Sequence, residues 1–398
     1  MKEGWTYKKL GEVGITQTGT TPSKSNPNNY GNYIPFIRPA EISIDGSGHI
    51  NYDSEIKLSE EGLKNGRLFK KGATLMVCIG SIGKLGYAER NISCNQQINV
   101  ITPFDEYYPK YIFYAMSSPA FQKECLKIAQ GAQATLPIIN KGKWSNLLIS
   151  IPSSREEQQR IVSRLDSAFA HIDELKANAE KQLSEARTLF QKALTKAMEP
   201  KEGWEEKTLK DIAQVRIGPF GSLLHKKDYI SGGIPLVNPI HMIDGKIVVN
   251  NDYTISDGKA KELSNYLLKV NDIIFARRGE VGRCALVSQN EEGYLCGTGS
   301  LFVRFIDIVE FPFMLMLFQS ESCRAYLEGN ASGATMLNIN ASIVENMPLT
   351  IPPLSEQQRI VSRLDSLSAH VRELEEVLQK TIAECDALKQ ALLRKVFE

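Results

Sequence analysis

The chain has 398 residues, 42% of them hydrophobic and 23% charged, a composition typical of a globular protein with two or three hydrophobic cores. No run approaches the roughly 18 apolar residues of a membrane span, and the first residues lack the apolar segment of a signal peptide, so we expect a cytoplasmic protein without a membrane partner. The net charge of +1 excludes a strongly basic protein that binds nucleic acid by bulk attraction alone.

The first 153 residues are predicted to form a mixed α+β domain. Short β-branched and apolar runs at 33–38, 73–79 and 98–104 are separated by Gly, Asn, Asp and Pro, which is typical of strands. A helical stretch follows at about 109–129. The seven cysteines of the chain show no C-x-x-C spacing, so we expect buried free thiols and no metal site.

Residues 154–199 are predicted to form one long helix. Pro152 ends the preceding extended stretch, and Ser154-x-x-Glu157 is a capping-box pattern. Alternating steps of four and three residues then mark a mostly apolar seam of the coiled-coil kind. Its predicted positions are 161, 165, 168, 172, 175, 179, 182, 186, 189, 193 and 196.

The second half repeats this organisation. Residues 200–353 form a second predicted mixed domain, with strands at 246–251, 271–276 and 300–305 and a helix at about 310–328. Residues 354–398 form a second long helix, with the pattern Ser355-x-x-Gln358 at its start and a seam from 360 to 395 at the same spacing.

The two halves are a tandem duplication. "EEQQRIVSRLDS" at 156–167 and "SEQQRIVSRLDS" at 355–366 share 11 of 12 letters, and weaker islands pair 34–42 with 234–242 and 131–140 with 331–340. The predicted fold class is therefore α+β, with two mixed domains separated by two long helices in an antiparallel intramolecular coiled coil. Such a chain has approximate two-fold symmetry and suits a ligand with its own dyad, such as duplex DNA.

The repeated stretch carries polar residues that a helix seam does not require. Two copies of one surface indicate two copies of one partner, although the likeness is also explained by recombination or by a solvated helix face. The predicted partner-docking residues are Gln158, Gln159, Arg160, Arg164, Gln357, Gln358, Arg359 and Arg363.

This repeated helix start, together with "GW" and a following Leu near the start of each mixed domain, resembles the specificity subunit of type I restriction-modification systems over essentially the whole chain. The resemblance implies two target-recognition domains, 1–153 and 200–353, that read the unlike halves of a bipartite asymmetric DNA site. It also implies two conserved helices that set the spacing of the half-sites and dock two adenine-N6 methyltransferase subunits. The resemblance further implies restriction subunits that complete the complex. The resemblance implies no catalysis and no cofactor in this chain, with S-adenosylmethionine, ATP and Mg expected in the partner subunits.

Candidate DNA contacts are polar residues in loops, because Arg and Lys suit guanine or phosphate and Gln or Asn suit adenine. In the first domain they are Ser23, Lys24, Arg38, Ser81, Lys84, Gln96 and Gln97. In the second they are Ser222, Lys226, Lys227, Asn238, Arg277, Arg278, Arg283 and Thr298.

Two other functions are open at this point. A duplicated coiled-coil adaptor would organise another enzyme pair without reading bases. A stand-alone methyltransferase would need "CGTGS" at 296–300 as a cofactor loop and "NPIH" at 238–241 as a catalytic motif. The first is followed by a predicted strand instead of a helix, and the second lacks its second proline and aromatic residue, so the methyltransferase is disfavoured.

Overall fold

The computed structural model describes residues 4–130, 137–249, 253–333 and 337–398. The chain divides into two compact units: the first comprises residues 1–181 and 378–398, and the second comprises residues 182–377. The repeat islands at 131–140 and 331–340, and the strand predicted at 246–251, lie partly outside the described residues.

The first unit is a mixed α/β body. Its strands are β1 (Trp5–Lys9), β2 (Gly14–Thr18), β3 (Tyr30–Ile37), β4 (Lys57–Leu58), β5 (Thr74–Val77), β6 (Leu85–Tyr87), β7 (Ser93–Cys94), β8 (Ile98–Pro103) and β9 (Leu148–Pro152). Its helices are α1 (Leu10–Val13), α2 (Glu60–Asn65), α3 (Pro109–Ser117), α4 (Pro119–Gln130), α5 (Lys141–Ser145) and the start of α6 (Arg155–Ala197).

A four-stranded antiparallel sheet, in the order β2-β8-β5-β6, forms the centre of the first unit. Alternate residues of β5 serve two cores, as the two-residue period of a strand requires. Met76 packs into the cluster that holds Tyr111 and Trp144, whereas Leu75 and Val77 pack into the opposite cluster. Strand β3 pairs with β4 and runs parallel to β7, and β1 pairs with β9.

The second unit contains the corresponding elements. Its strands are β10 (Glu205–Thr208), β11 (Ala213–Ile217), β12 (Tyr229–Ile230), β13 (Ile234–Val237), β14 (Met242–Ile243), β15 (Lys246–Ile247), β16 (Thr254–Ile255), β17 (Ile273–Ala276), β18 (Cys284–Leu286), β19 (Leu295–Cys296), β20 (Ser300–Phe305) and β21 (Pro348–Ile351). Its helices are α7 (Leu209–Ile212), α8 (Asp257–Glu262), α9 (Phe311–Phe318), α10 (Glu321–Asn330), α11 (Ala341–Glu345) and most of α12 (Leu354–Phe397), together with the end of α6.

The central sheet of the second unit has the order β11-β20-β17-β18 and is again antiparallel. Ile273 and Phe275 of β17 face one core, and Ile274 and Ala276 face the other. Strand β13 runs parallel to β19, as β3 does to β7. The duplication predicted from the sequence is therefore present in the strand order of both units.

The helical stretch predicted near the end of each mixed domain is two helices in each unit. Pro119 begins α4, and Ser118 before it is extended because the proline ring disfavours a helical residue at that position. In the second unit Ser320 separates α9 from α10, and its side chain accepts a hydrogen bond from the Cys323 N–H.

The two long helices begin at equivalent residues but with different caps. Ser154 caps α6 as predicted, with its hydroxyl accepting the Glu157 N–H at 3.1 Å. The predicted cap Ser355 is wrong, because α12 begins one residue earlier, at Leu354, and the Pro353 carbonyl accepts the N–H groups of Glu356 and Gln357. The helix starts are therefore 199 residues apart, as the repeated stretch is.

The helices pair antiparallel within each unit. In the first unit the Lys176 ammonium contacts Asp386 at 2.7 Å and Lys389 contacts Asp173, so residue numbers rise on one helix as they fall on the other. In the second unit the Arg187 Nε donates to Glu375 at 2.7 Å.

In α6 every second position of the predicted seam is one residue too early from 175 onward. Residues 165, 172, 179, 186 and 193 are buried or half-buried as predicted, but Leu175 and Leu189 are 53% and 57% exposed. Position 168 is half-buried as predicted, but the continuous half-buried row is 169, 176, 183, 190 and 197. The predicted seam missed this row because it took a step of three residues after Leu165, whereas a step of four reaches Phe169. Lys176 lies in this row with its ammonium paired to Asp386. None of the described helices is long and apolar enough to cross a membrane.

Candidate nucleic-acid interface

Four loops of the first unit meet at one end of its sheets. We call them the first loop cluster, residues 19–24, 37–41, 78–84 and 94–97. Backbone hydrogen bonds join them: Thr20 N–H to the Cys94 carbonyl at 2.9 Å, Asn95 N–H to Ile37 at 3.0 Å, and Cys78 N–H to Gln97 at 2.8 Å. All seven residues predicted as DNA contacts in the first domain lie in this cluster.

Arg38 is not free in the first loop cluster. Its guanidinium forms a salt bridge with Glu41, and the same carboxylate accepts the Arg38 N–H at 2.8 Å. The hydrogen bond that the guanidinium donates to Glu41 raises the pKa of Arg38. Glu41 is buried and was missed from the sequence, although it stands within the island 34–42 that identified the repeat.

The other predicted contacts of the first unit have weaker local partners. Lys84 donates to the Pro39 carbonyl at 2.7 Å, and Gln96 accepts from the Thr21 hydroxyl. Gln97 accepts from the Asn95 side chain at 2.8 Å. The side chains of Ser23, Lys24 and Ser81 are exposed. The cluster thus presents hydroxyl, amide and ammonium groups, which can bind base edges or phosphates.

The second unit carries the matching second loop cluster, residues 218–222, 237–241, 277–283 and 296–299. Two bonds join its loops, Gly297 N–H to Val237 at 2.9 Å and Arg277 N–H to Gly299 at 3.0 Å, and Gly218 N–H donates to Ser300, directly after the fourth loop, at 3.0 Å. The side chain of Arg283 donates to the Pro239 carbonyl at 3.3 Å, as that of Lys84 does to Pro39. Asn238, Arg277, Arg278, Arg283 and Thr298 are therefore brought together.

The arginines of the second loop cluster differ in their partners. Arg283 is paired with Glu280. Arg277 contacts only the Asn338 side-chain oxygen, at 3.4 Å, and its Nε is buried without a hydrogen-bond partner among the described residues. Burial and the neighbouring charge of Arg278 lower the pKa of Arg277.

A histidine occupies the place that Glu41 has in the first unit. His241 is buried, and its Nδ1 accepts the Asn238 N–H at 3.2 Å. The Nε2 atom has no partner among the described residues, and burial lowers the pKa of His241. Neither His241 nor Asn338 was predicted, since the chemistry of each depends on a contact that the sequence does not show.

Ser222, Lys226 and Lys227 lie in the chain between β11 and β12. All three are exposed, with Ser222 in the turn Gly221–Leu223 and both lysines in the turn Lys226–Asp228. This chain leads out of the second loop cluster, since Gly218 is bonded to Ser300. Exposed ammonium groups at such a position suit phosphate contacts.

The residues predicted to dock a partner separate into two kinds. Gln158 and Gln357 are 2% and 3% exposed and are not accessible to another protein. The Gln158 side-chain oxygen accepts the N–H of Tyr108, and that of Gln357 accepts the N–H of Glu310, both at 2.8 Å. Each glutamine therefore attaches the first turn of a long helix to the start of α3 or α9, which explains its duplication structurally and removes it from the docking surface.

The other six predicted docking residues are exposed in both units. We call them the helix-start surface, which comprises Gln159, Arg160, Arg164, Gln358, Arg359 and Arg363. Arg160 pairs with Glu157 and Arg359 with Glu356, each at 2.7 Å. This surface has the same composition and the same ion pair in the two copies.

All seven cysteines are free and buried. Among residues 4–130, 137–249, 253–333 and 337–398, no group of three or more His, Cys, Asp and Glu side chains is placed to hold a metal ion.

The comparisons with known proteins agree with this duplicated architecture. A family model described as the type I restriction modification DNA specificity domain matches the chain twice, at residues 2–185 and 201–384. The type I restriction enzyme MjaIX specificity subunit of Methanocaldococcus jannaschii is 25% identical over 98% of this chain and 92% of its own length. The StySPI specificity subunit of Salmonella potsdam is 23% identical over 100% and 89%.

Solved structures show the same fold. A chain from a structural study of complex assembly and conformational transition of the type I R-M system aligns with a TM-score of 0.82 at 20% identity, covering 100% of this chain and 98% of that one. The HsdS subunit from Thermoanaerobacter tengcongensis aligns with a TM-score of 0.59 at 20% identity, covering 100% and 97%. The chain therefore belongs to the specificity subunits of type I restriction-modification systems and carries two copies of their DNA specificity domain.

Proposed function

We propose that this chain reads a bipartite, asymmetric DNA site and brings two adenine-N6 methyltransferase subunits, and the restriction subunits, to it. In this proposal residues 1–153 and 200–353 are the target-recognition domains, and 154–199 and 354–398 are the helices between them. The observation that carries it is that two loop clusters on the same backbone frame bear different side chains. Unlike side chains on a shared frame read unlike half-sites.

The chain itself is proposed to perform no catalysis. Its full-length relatives are specificity subunits, and the loop clusters hold groups suited to hydrogen bonding with DNA. We assign S-adenosylmethionine, ATP and Mg to the partner subunits. The near-neutral net charge supports a division of labour in which the partners supply part of the affinity for the phosphate backbone.

The candidate base and phosphate contacts remain those predicted from sequence. In the first loop cluster they are Ser23, Lys24, Arg38, Ser81, Lys84, Gln96 and Gln97. In the second unit they are Ser222, Lys226, Lys227, Asn238, Arg277, Arg278, Arg283 and Thr298.

Single-molecule sequencing of DNA from cells with and without the gene tests the main proposal. We expect N6-methyladenine in an interrupted motif with two unlike halves, and we expect this signal to vanish on deletion. A gene-independent pattern, measured with the methyltransferase subunit verified as expressed, would favour the adaptor that reads no bases.

The helix-start surface is proposed to dock one methyltransferase in each unit. Arg164 and Arg363 are the equivalent exposed arginines without a local ion pair among the described residues. We expect native mass spectrometry to find two methyltransferase subunits on the wild-type chain, one on Arg164→Glu or Arg363→Glu, and none on the double variant. Arg372→Glu, an exposed change on the same helix as Arg363, is the control and should retain two. Two subunits on the double variant would contradict this surface.

A further inference from the structure

Arg277 is held in a fixed backbone position at the end of β17. Its N–H donates to the Gly299 carbonyl at 3.0 Å, and its carbonyl accepts the Ile339 N–H at 2.9 Å. The first unit has the same frame around Cys78, whose N–H donates to Gln97 and whose carbonyl accepts the Ile139 N–H. The duplication thus conserves the backbone bonds at this position and changes the side chain.

The side chains at this position differ in charge. Cys78 is 2% exposed, and burial raises the pKa of its thiol to about 12, so the first unit has a neutral group here. The second unit has a half-buried guanidinium. A position where the backbone hydrogen bonds stay the same while the side chain changes is suited to determining specificity. Exchanging the side chain there does not disturb the backbone hydrogen bonds around it.

The guanidinium of Arg277 is not neutralised within the described part of the second unit. Two other half-buried arginines of the second unit each have a carboxylate partner, Asp272 at 2.6 Å for Arg304 and Glu280 for Arg283. Arg277 has one 3.4 Å contact to an amide oxygen and a buried Nε without a partner in that part of the chain. A partly desolvated charge without a counter-charge costs stability, and such groups are concentrated at functional sites.

We propose that Arg277 is a specificity-determining residue of the second target-recognition domain and that its guanidinium reads the O6 and N7 atoms of a guanine. This inference rests on the proposed DNA-reading function. A guanidinium fits these two acceptors with two parallel hydrogen bonds. A backbone phosphate offers similar acceptors and is the competing ligand. The anchored backbone and the uncharged neighbours Asn338 and Thr298 favour the base, whereas the exposed Arg278 suits a phosphate.

The test uses the chain in complex with its methyltransferase subunits and a panel of duplexes substituted at each position of both half-sites. For Arg277→Gln we expect the preference for guanine at one position of one half-site to fall by about 5- to 150-fold, the range for a bidentate base contact. Arg277→Lys should keep part of this preference, because an ammonium group also suits guanine. The other positions should not change. The control Arg372→Lys, at an exposed arginine of α12 outside both loop clusters, should keep the wild-type preference. Equal methyltransferase content in all complexes shows that the variants are folded.

Replacing that guanine by 7-deazaguanine, which lacks the N7 acceptor, identifies the contact directly. Wild-type binding should weaken, whereas binding by Arg277→Gln should not change with the replacement. A uniform loss over all sequences with a salt slope smaller by about one would assign Arg277 to a phosphate and overturn the proposal. Unchanged preferences in both variants would also overturn it. A wild-type complex without any sequence preference would instead overturn the proposed function itself.

Discussion

At the scale of single residues, the two loop clusters differ most in how charge is balanced. Glu41 neutralises Arg38 in the first unit, whereas the equivalent residue of the second unit is the buried His241. The positive charge of the second cluster is carried instead by Arg277 and Arg278. Equivalent backbone positions therefore present different charges to a ligand.

The buried His241 makes the second unit sensitive to acid. Burial lowers the pKa of this histidine below its ordinary 6.5, so in the range between the two values the unfolded chain binds a proton that the folded chain does not. Its contribution to the free energy of unfolding is complete above pH 6.5 and falls as the pH is lowered below that value. Protonation at Nδ1 would also remove the acceptor for the Asn238 N–H.

Urea unfolding between pH 7 and pH 5 measures this effect. His241→Gln is expected to lose less stability on acidification than the wild-type chain, since glutamine does not titrate. The exposed His225 provides the control, and His225→Gln should behave as wild type. If the free energy of unfolding depended on pH equally in His241→Gln and in the wild-type chain, the acid sensitivity would not come from His241.

At the scale of elements, Gln158 and Gln357 join each long helix to its recognition domain. Alanine at either position leaves the partly buried N–H of Tyr108 or Glu310 without its acceptor, which we expect to cost about 1–3 kcal/mol of unfolding free energy. The neighbouring exposed residues provide matched controls, and Gln159→Ala and Gln358→Ala should lie within about 0.5 kcal/mol of wild type. Equal stabilities of the four variants in urea unfolding would show that this attachment contributes nothing.

The seam of the long helices offers a second test at this scale. Ile172 is 6% exposed, and Ile172→Ala should cost about 2–4 kcal/mol because it leaves a cavity between the helices of the first unit. Leu175 is 53% exposed, and Leu175→Ala should cost less than about 0.5 kcal/mol. If urea unfolding gave comparable losses of unfolding free energy for the two variants, Leu175 would lie in the seam, as the apolar spacing predicts.

At the scale of the whole molecule, residues from both ends of the sequence form the first unit. Leu393 and Phe397 of α12 are buried in its main core, where the Phe397 ring lies 5.5 Å from that of Tyr111. We expect a chain that ends at residue 377 to lose amide protection in β5 while β17 remains protected, because the second unit is contained in 182–377. Hydrogen exchange measures this difference, and the full-length Leu388→Ala variant is the control because Leu388 is 49% exposed. Full amide protection of β5 in the shortened chain would show that the first unit does not need residues 378–398.

Both long helices pass from one unit into the other, at residues 181–182 and 377–378. Inserting seven residues at both points keeps the heptad phase and adds about 10 Å of helix. If the helices set the separation of the half-sites, the methylated motif should keep both halves and gain about three base pairs between them. A changed half-site with an unchanged gap, found by sequencing for N6-methyladenine, would exclude this role.

The sequence by itself determined the duplication, the long helices and the family. These depend on local signals, namely the 11 shared letters at 156–167 and 355–366, the 3.5-residue apolar spacing and the absence of Gly and Pro from the helices. It also selected loop residues that the structure brings together, because Gly-flanked polar residues at strand ends recur at the same positions in both halves. Periodicity placed one row of the seam correctly and most of the other row one residue early, because a 3.5-residue spacing does not say whether a step of four or of three residues comes first.

Only the tertiary structure decided which polar side chains are available to a ligand. Gln158 and Gln159 are the same residue type in adjacent positions, yet one is buried against the start of α3 and the other is exposed. Arg38 and Arg277 are both arginines of loop clusters, yet Glu41 neutralises the first, and no carboxylate among the described residues pairs with the second. Burial and charge pairing depend on residues distant in the chain or on the rotation of a turn, and neither is encoded in the letters around a single position.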